Sequence, residues 1–293
     1  METTIVVCQM GKVASNALVR GILDQGAECH HTHVLGNERI CKLVELATRP
    51  DRGPRFLEEM ARQVTKSLIA TQKLEQARAN PDRYRVKLVT LTRHPLTWYE
   101  SAFLQNIKGL REEILPLCME AAGTKDEAAA WIHLLEQVLA LVPRVKWGSS
   151  EQLVSQETGE PLQAAPHVIR ELRTLRRPLY WFQVGLNRVL DRDLLQDVAE
   201  MGGTPATVEG DYFDLLLLRY ENLSEDVSTL RNYLDLPNLA IPRMNTGKKK
   251  ADYDIIHAIF QDLYARHQDA LEQIYATPYC RTFSYGPLAA AVD

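Results

Sequence analysis

Nowhere in this 293-residue chain is there an uninterrupted apolar stretch approaching the roughly 20 residues that a bilayer span requires. The apolar residues of the first segment, Ile5 to Cys8, are too few for the core of a secretory leader. Cysteine is sparse. Cys8, Cys29, Cys41, Cys118 and Cys280 are scattered, odd in number and without C-x-x-C spacing. That pattern argues against a disulfide frame or a zinc site and for free thiols in a reducing compartment. Charge of one sign is not in excess either: the net charge of −4 gives no global reason to expect nucleic acid or an anionic membrane as partner. There is no internal repeat and no low-complexity tract. The length suits one large domain over 1–293, with 37–80 and 147–185 expected to be insertions that shape a ligand pocket.

Against these absences, one run near the amino terminus stands out. Gln9-Met10-Gly11-Lys12-Val13-Ala14-Ser15-Asn16 follows the apolar strand-like segment Ile5-Val6-Val7-Cys8 and leads into a helical pattern over 15–25. A Gly-Lys turn between a buried strand and a helix start is a phosphate-binding arrangement, because the helix offers unpaired N–H groups and the positive end of its dipole. Lys12 adds a full charge and Ser15 a hydroxyl. A nucleoside-triphosphate P-loop carries Ser or Thr directly after its Lys to hold Mg²⁺. Here Val13 takes that place, so the turn is read as holding a phosphate ester without magnesium.

A second strand–turn–helix follows. Residues 83–92 read as a strand, Arg93-His94-Pro95 as the turn, and Leu96 onward as a helix, with Pro95 in the first turn where its missing N–H costs nothing. Arg93 is thereby predicted at the carboxyl end of a strand, where open α/β sheets bind ligands. Ser101, eight residues on, is placed to share one phosphate with it. Elsewhere, helical periodicity covers 37–48, 54–79, 125–142, 186–201, 224–234 and 252–275. A short strand spans 28–35, a fully apolar run at 212–218 suits a central parallel strand, and 147–166 reads as a loop or hairpin. Strands alternating with helices indicate an α/β fold with a mostly parallel sheet covered on both faces.

Taken in order, Gly11-Lys12-x-x-Ser15, Arg93-x-Pro95 with Ser101, Arg219-Tyr220-Glu221-Asn222-Leu223 and the basic stretch Arg243 to Lys250 resemble sulfotransferases that use 3′-phosphoadenosine 5′-phosphosulfate. Within that superfamily the chain is most similar to the bacterial sulfotransferase-like group of capsular polysaccharide synthesis proteins, through Gln9 to Val13, Phe103-Leu104-Gln105-Asn106, Trp181-Phe182 and Ile274-Tyr275-x-x-x-Tyr279-x-x-x-Phe283. The resemblance implies a three-layer P-loop-type fold with a central mostly parallel sheet flanked by helices. It implies that Gly11, Lys12, Val13, Ala14, Ser15 and Asn16 hold the 5′-phosphosulfate. Arg93 and Ser101, joined by Arg243, Lys248 and Lys249, would hold the 3′-phosphate, with no metal required. The chain departs from the group at two places. Ala14-Ser15-Asn16-Ala17 stands where Gly-Ser-Ser-Ser is usual, and His94 replaces the common Asp of Arg-Asp-Pro, weakening an Asp-based helix cap.

Sulfuryl transfer needs a base for the acceptor hydroxyl, and histidine meets that need near neutral pH. On a strand, His31 and His33 share one face and His30 the other. His31 and His33 are therefore the candidate bases, the residues alone leaving the choice open, while Lys12 is expected to stabilise charge on the departing nucleotide. Trp181, Phe182, Tyr275, Tyr279 and Phe283 are expected to be packing residues. The acceptor is expected to be a carbohydrate or related metabolite, in a bacterial cytoplasm since no membrane anchor is seen, and oligomeric state is not read. Two rivals are carried: a binding protein of the same fold without turnover, and an ATP-dependent P-loop phosphotransferase. The phosphotransferase predicts a hydroxyl after Lys12 and an acidic Mg²⁺ ligand at another strand end.

Overall fold

The computed structural model describes residues 1–48, 53–147, 152–242 and 252–288. In chain order its elements begin β1 (Glu2–Cys8), α1 (Ser15–Asp24), β2 (Cys29–Thr32), α2 (Asn37–Ala47), α3 (Pro54–Ala79), β3 (Tyr84–Thr92) and α4 (Pro95–Glu113). There follow α5 (Leu115–Ala122), α6 (Glu127–Leu141), α7 (Pro166–Val184), α8 (Leu186–Leu190), α9 (Leu194–Glu200), β4 (Ala206–Glu209) and β5 (Phe213–Arg219). The described chain closes with α10 (Val227–Leu234), α11 (Tyr253–Arg266), α12 (Gln268–Tyr275) and α13 (Pro278–Thr282). These gather into two compact units, Met1–Arg93 with Trp181–Met244, and His94–Tyr180 with Asn245–Asp293. Among the described residues no helix is long and apolar enough to cross a membrane.

The first unit is built on a five-stranded sheet of order β2-β1-β3-β5-β4, flanked by helices. β1 runs parallel to β2 and β3, β3 runs parallel to β5, and β4 closes the edge antiparallel to β5. The apolar run Leu215–Leu218 is fully buried, as a strand with neighbours on both sides requires. From β1 the chain goes to β2 on one side and returns to β3 on the other, which makes the crevice at the carboxyl ends of β1 and β3 the topological switch point. Register aligns Cys8 with Thr32 and Thr92 with Arg219, so these carboxyl ends share one edge of the sheet.

The second unit packs around a cluster of rings. Tyr99 and Phe103 on α4 meet Phe260 on α11 with centroids 5.5 Å apart, and Phe103 meets Trp131 on α6 at 5.3 Å. Arg111 ties the same helices together, donating to both carboxylate oxygens of Asp252 (3.0 and 2.6 Å) and to Glu127 (2.6 Å). Tyr279 and Phe283 are buried in this unit, and Trp181 and Phe182 in the first.

Several boundaries differ from expectation. The helix expected over 186–201 is two, α8 and α9, parted at Asp191, whose φ of 52° is left-handed. That expected over 252–275 is also two, α11 and α12, parted at His267 with φ −111° and ψ 30°. β2 stops at Thr32 rather than Leu35, where the Thr32 hydroxyl turns back onto the main chain of Val34. Within the 147–166 stretch, expected as a loop or hairpin, the described residues carry two isolated antiparallel bridges, Ser155 to the preceding Val145 and Val154 to Pro161, as a short hairpin would.

Candidate functional site

The turn after β1 is shaped by two left-handed residues that are not glycine: Lys12 at φ 69° and Ala14 at φ 59°, ψ 23°. Such conformations cost a residue with a Cβ roughly 1 kcal/mol or more and gather where function or close packing imposes them. Ala14 is the N-cap of α1 and supplies no side-chain cap. The first-turn N–H groups of α1 are therefore left for another acceptor. Val13 points wholly into the core, Ser15 is buried, Gly11, Lys12 and Ala14 are half-buried, and Asn16 is exposed.

Arg93, at the carboxyl end of β3, holds this turn. Its Nη1 donates to the main-chain oxygen of Lys12 at 2.7 Å, and its guanidinium lies 4.7 Å from the ring centroid of Tyr220, which follows β5. A guanidinium over a ring face is favourable in its own right. The clamp thus joins the ends of three strands and fixes the left-handed turn at Lys12. Arg219 closes the β5 end with its Nε 4.0 Å from Glu221.

The end of β2 contributes the histidines. His33 lies just past the strand, and its Nδ1 is 2.7 Å from the main-chain oxygen of Gln9. A carbonyl oxygen only accepts, so Nδ1 carries the proton and the neutral ring presents the Nε2 lone pair. Its imidazole meets that of His31 edge-on, centroids 4.8 Å apart. Burial above all, with Lys12 and Lys66 adding to it, holds His33 below the ordinary histidine value despite the Gln9 bond. Burial, then His33 and Lys66, pushes His31 down to about 4. Both rings are thus neutral at pH 7. Burial pushes the nearby Cys8 and Cys29 thiols up to about 12, so neither offers a thiolate there.

Lys12, Arg93, His31 and His33 are brought to one edge of the sheet. Ser101 lies half-buried within α4 of the second unit, and Arg243, Lys248 and Lys249 lie outside the described residues. His94 corrects an expectation: it does cap α4, its Nδ1 accepting from the Leu96 N–H at 3.3 Å while Nε2 donates to the Gly286 oxygen at 2.8 Å. A ring nitrogen does here what the Asp carboxylate was expected to do.

Sequence reasoning missed the parts played by Gln9 and Tyr220. Gln9 is 0 % exposed, and neither atom of its side-chain amide finds a hydrogen-bond partner. In the sequence it stood only as the first residue of the run that leads into the Gly-Lys turn. Tyr220 was visible only as part of a strand-end motif. Compared with family models, with curated proteins and with solved structures, the chain matches none.

Proposed function

We propose that this chain transfers a sulfuryl group from 3′-phosphoadenosine 5′-phosphosulfate to a hydroxyl of a carbohydrate or related metabolite, on a three-layer P-loop-type fold. The observation that carries the reading is the clamp of Arg93 on the main chain of Lys12. It sets two cations and a helix amino terminus at the switch point of a mostly parallel sheet. The residues fit a phosphosulfate ester. Residues Gly11, Lys12, Val13, Ala14, Ser15 and Asn16 form a turn whose N–H groups and lysine suit two adjacent anionic groups. Ala14 adopts the left-handed conformation at the position where the resembled group carries glycine. Val13 is buried, leaving no hydroxyl after Lys12 for Mg²⁺, and Glu221 lies towards Arg219. Both features weigh against the phosphotransferase.

The donor supplies an activated sulfuryl group and a phosphate leaving group. The protein's part is positional and electrostatic. His33, its Nδ1–H fixed on Gln9, takes the acceptor hydroxyl's proton at Nε2 as that oxygen bonds to sulfur, and His31 buttresses the ring. Lys12 and the amino end of α1 counter the charge that builds on the departing phosphate oxygen. Arg93 and Ser101, with Arg243, Lys248 and Lys249, hold the 3′-phosphate in this reading.

The exposed Asn16, in place of a hydroxyl, favours one other reading: a nucleotide-binding protein of the same fold without turnover. The two are separated by incubating the protein with the phosphosulfate donor and a panel of oligosaccharides in EDTA. A sulfate ester formed one-for-one with adenosine 3′,5′-bisphosphate is the expected result. Tight bisphosphate binding with no ester on any acceptor would establish the binding protein instead.

A further inference from the structure

Gln9 is wholly buried, yet neither Oε1 nor Nε2 of its carboxamide has a hydrogen-bond partner among the described residues. A buried amide left so costs stability, and in a folded protein it asks for a functional reason. The main chain of Gln9, by contrast, is engaged. Its N–H donates to the Thr32 oxygen at 3.3 Å, carrying the ladder one residue past β1, and its own oxygen accepts from His33.

The ladder fixes where that side chain lies. Gln9 follows Val7 by two residues, so both share one face with His31, which pairs with Val7 in register. Thr32 takes the other face, where its hydroxyl meets Ser67 of α3. The crossovers from β1 to β2 and from β2 to β3 run in opposite directions across the sheet. Right-handed crossovers then place α1 and α3 on opposite faces. Gln9 therefore lies on the face of α1, beneath the turn that leads into that helix. On the same face, His31 Nε2 is also buried and without a hydrogen-bond partner among the described residues.

The covering turn is itself costly, because Lys12 and Ala14 hold left-handed conformations despite their Cβ atoms. A Cβ built on Gly11 would meet nothing within 4 Å, so this stretch has room to lift. The chemistry of the hidden group says what would engage it. A neutral carboxamide with a pair of N–H donors, beside a helix amino end and Lys12, bonds an oxyanion without burying a further charge.

We propose that Gln9 is a ligand-binding residue of the turn: an oxyanion, sulfate or phosphate ester, lifts the Gly11–Ala14 stretch and accepts a hydrogen bond from Gln9 Nε2. The ligand-free protein does not make this bond, so it favours the lifted turn only when the anion is present. Assigning that anion to the 5′ end of the donor rests on the sulfuryl-transfer reading; the contact itself does not.

The test follows the side-chain amide resonance of Gln9 by NMR in EDTA, assigned by its disappearance in Gln9→Met. The probes are inorganic pyrophosphate and adenosine 3′,5′-bisphosphate. Pyrophosphate is expected to shift the wild-type Gln9 amide protons in a saturable way. Gln9→Met keeps an unbranched side chain of similar size and removes the unmatched amide. Its thermal midpoint is expected at or above that of wild type, while affinity for pyrophosphate falls by about tenfold or more. A glutamine serving structure alone would give the reverse, a lowered midpoint with affinity intact. A lowered midpoint, affinity within about twofold of wild type, an unmoved Gln9 resonance at saturation, or no pyrophosphate binding up to about 10 mM would each overturn the proposal. Pyrophosphate engaging Gln9 while the bisphosphate fails to bind would keep the contact and remove the donor reading. Bisphosphate binding while pyrophosphate leaves Gln9 unmoved would do the opposite.

Discussion

The two ends of the sheet in the first unit differ in which partners their basic side chains take up. At the amino end, arginines pair with carboxylates, and Arg85 donates in addition to the main-chain oxygens of Gly210 and Asp211. Arg85 donates to both carboxylate oxygens of Asp214 at 2.7 and 2.6 Å, and Arg192 donates to both of Asp197 at 3.1 and 3.0 Å. Both arginines line a cavity of about 760 Å³ in which Arg78 alternates with Asp191, Glu209 and Asp211. At the carboxyl end, Arg93 and His33 lean instead on main-chain oxygens, those of Lys12 and Gln9. A carbonyl orients a cation or an imidazole without cancelling its charge. The amino end is thus held by arginine–carboxylate pairs, whereas at the carboxyl end Arg93 and His33 are oriented by main-chain oxygens, the arrangement around which the proposed function places its anionic ligand.

The comparison is broken or sharpened most sharply at His33. His33→Ala is expected to lower kcat for transfer by about 10²–10⁴-fold with bisphosphate affinity unchanged. The wild-type rate should rise with pH as the ring loses its proton. Since His33 is held below the ordinary histidine value, that rise should be complete by neutrality, and a pH–rate profile that still climbs above pH 7 would remove His33 as the base.

Arg85→Ala addresses the other end. Loss of a partly buried bidentate pair is expected to cost about 2 kcal/mol in urea unfolding, with bisphosphate affinity within twofold of wild type. A collapse of affinity would show that the two ends are not functionally separate.

The carboxyl end should also carry an acid-stability cost. Unfolded His31 takes its proton near pH 6.5, while the folded ring refuses it until about 4. The unfolded state binds more protons across that window, so stability falls as pH drops from 6.5 to 4, on the order of 2 kcal/mol after allowing for partial exposure. His31→Gln should flatten that slope in urea titrations at stepped pH. The smallest effect is expected from Ala14→Gly, which relieves a left-handed alanine and should raise stability by up to about 1 kcal/mol. A loss of stability there would mean that the turn is not strained at Ala14.

Much of this frame was legible in the residues. β1, β3 and β5 announced themselves by apolar or β-branched runs, and α2 and α3 by periodicity with Gly and Pro at their borders. β4 was missed because four residues at a sheet edge, with only Ala206 and Val208 buried, give too short a pattern. The breaks at Asp191 and His267 were missed because neither residue is a helix breaker by type, and tertiary packing decides each turn. α7 was missed in a stretch assigned to an insertion, with Pro178 inside it. At the site, Lys12, Arg93 and the histidines were readable as residue types that suit anion and proton chemistry. What ties them together was not, because Arg93 and His33 both bond to main-chain oxygens, and a backbone acceptor 81 or 24 residues away leaves no trace in side-chain identity.

The most direct test of the central claim is titration calorimetry of adenosine 3′,5′-bisphosphate against the wild-type chain and Arg93→Ala, both in EDTA. The account expects binding without metal, weakened more than tenfold by the substitution, since Arg93 both shapes the Lys12 turn and carries charge at its edge. No binding in EDTA, or binding only of ATP with Mg²⁺, would contradict it.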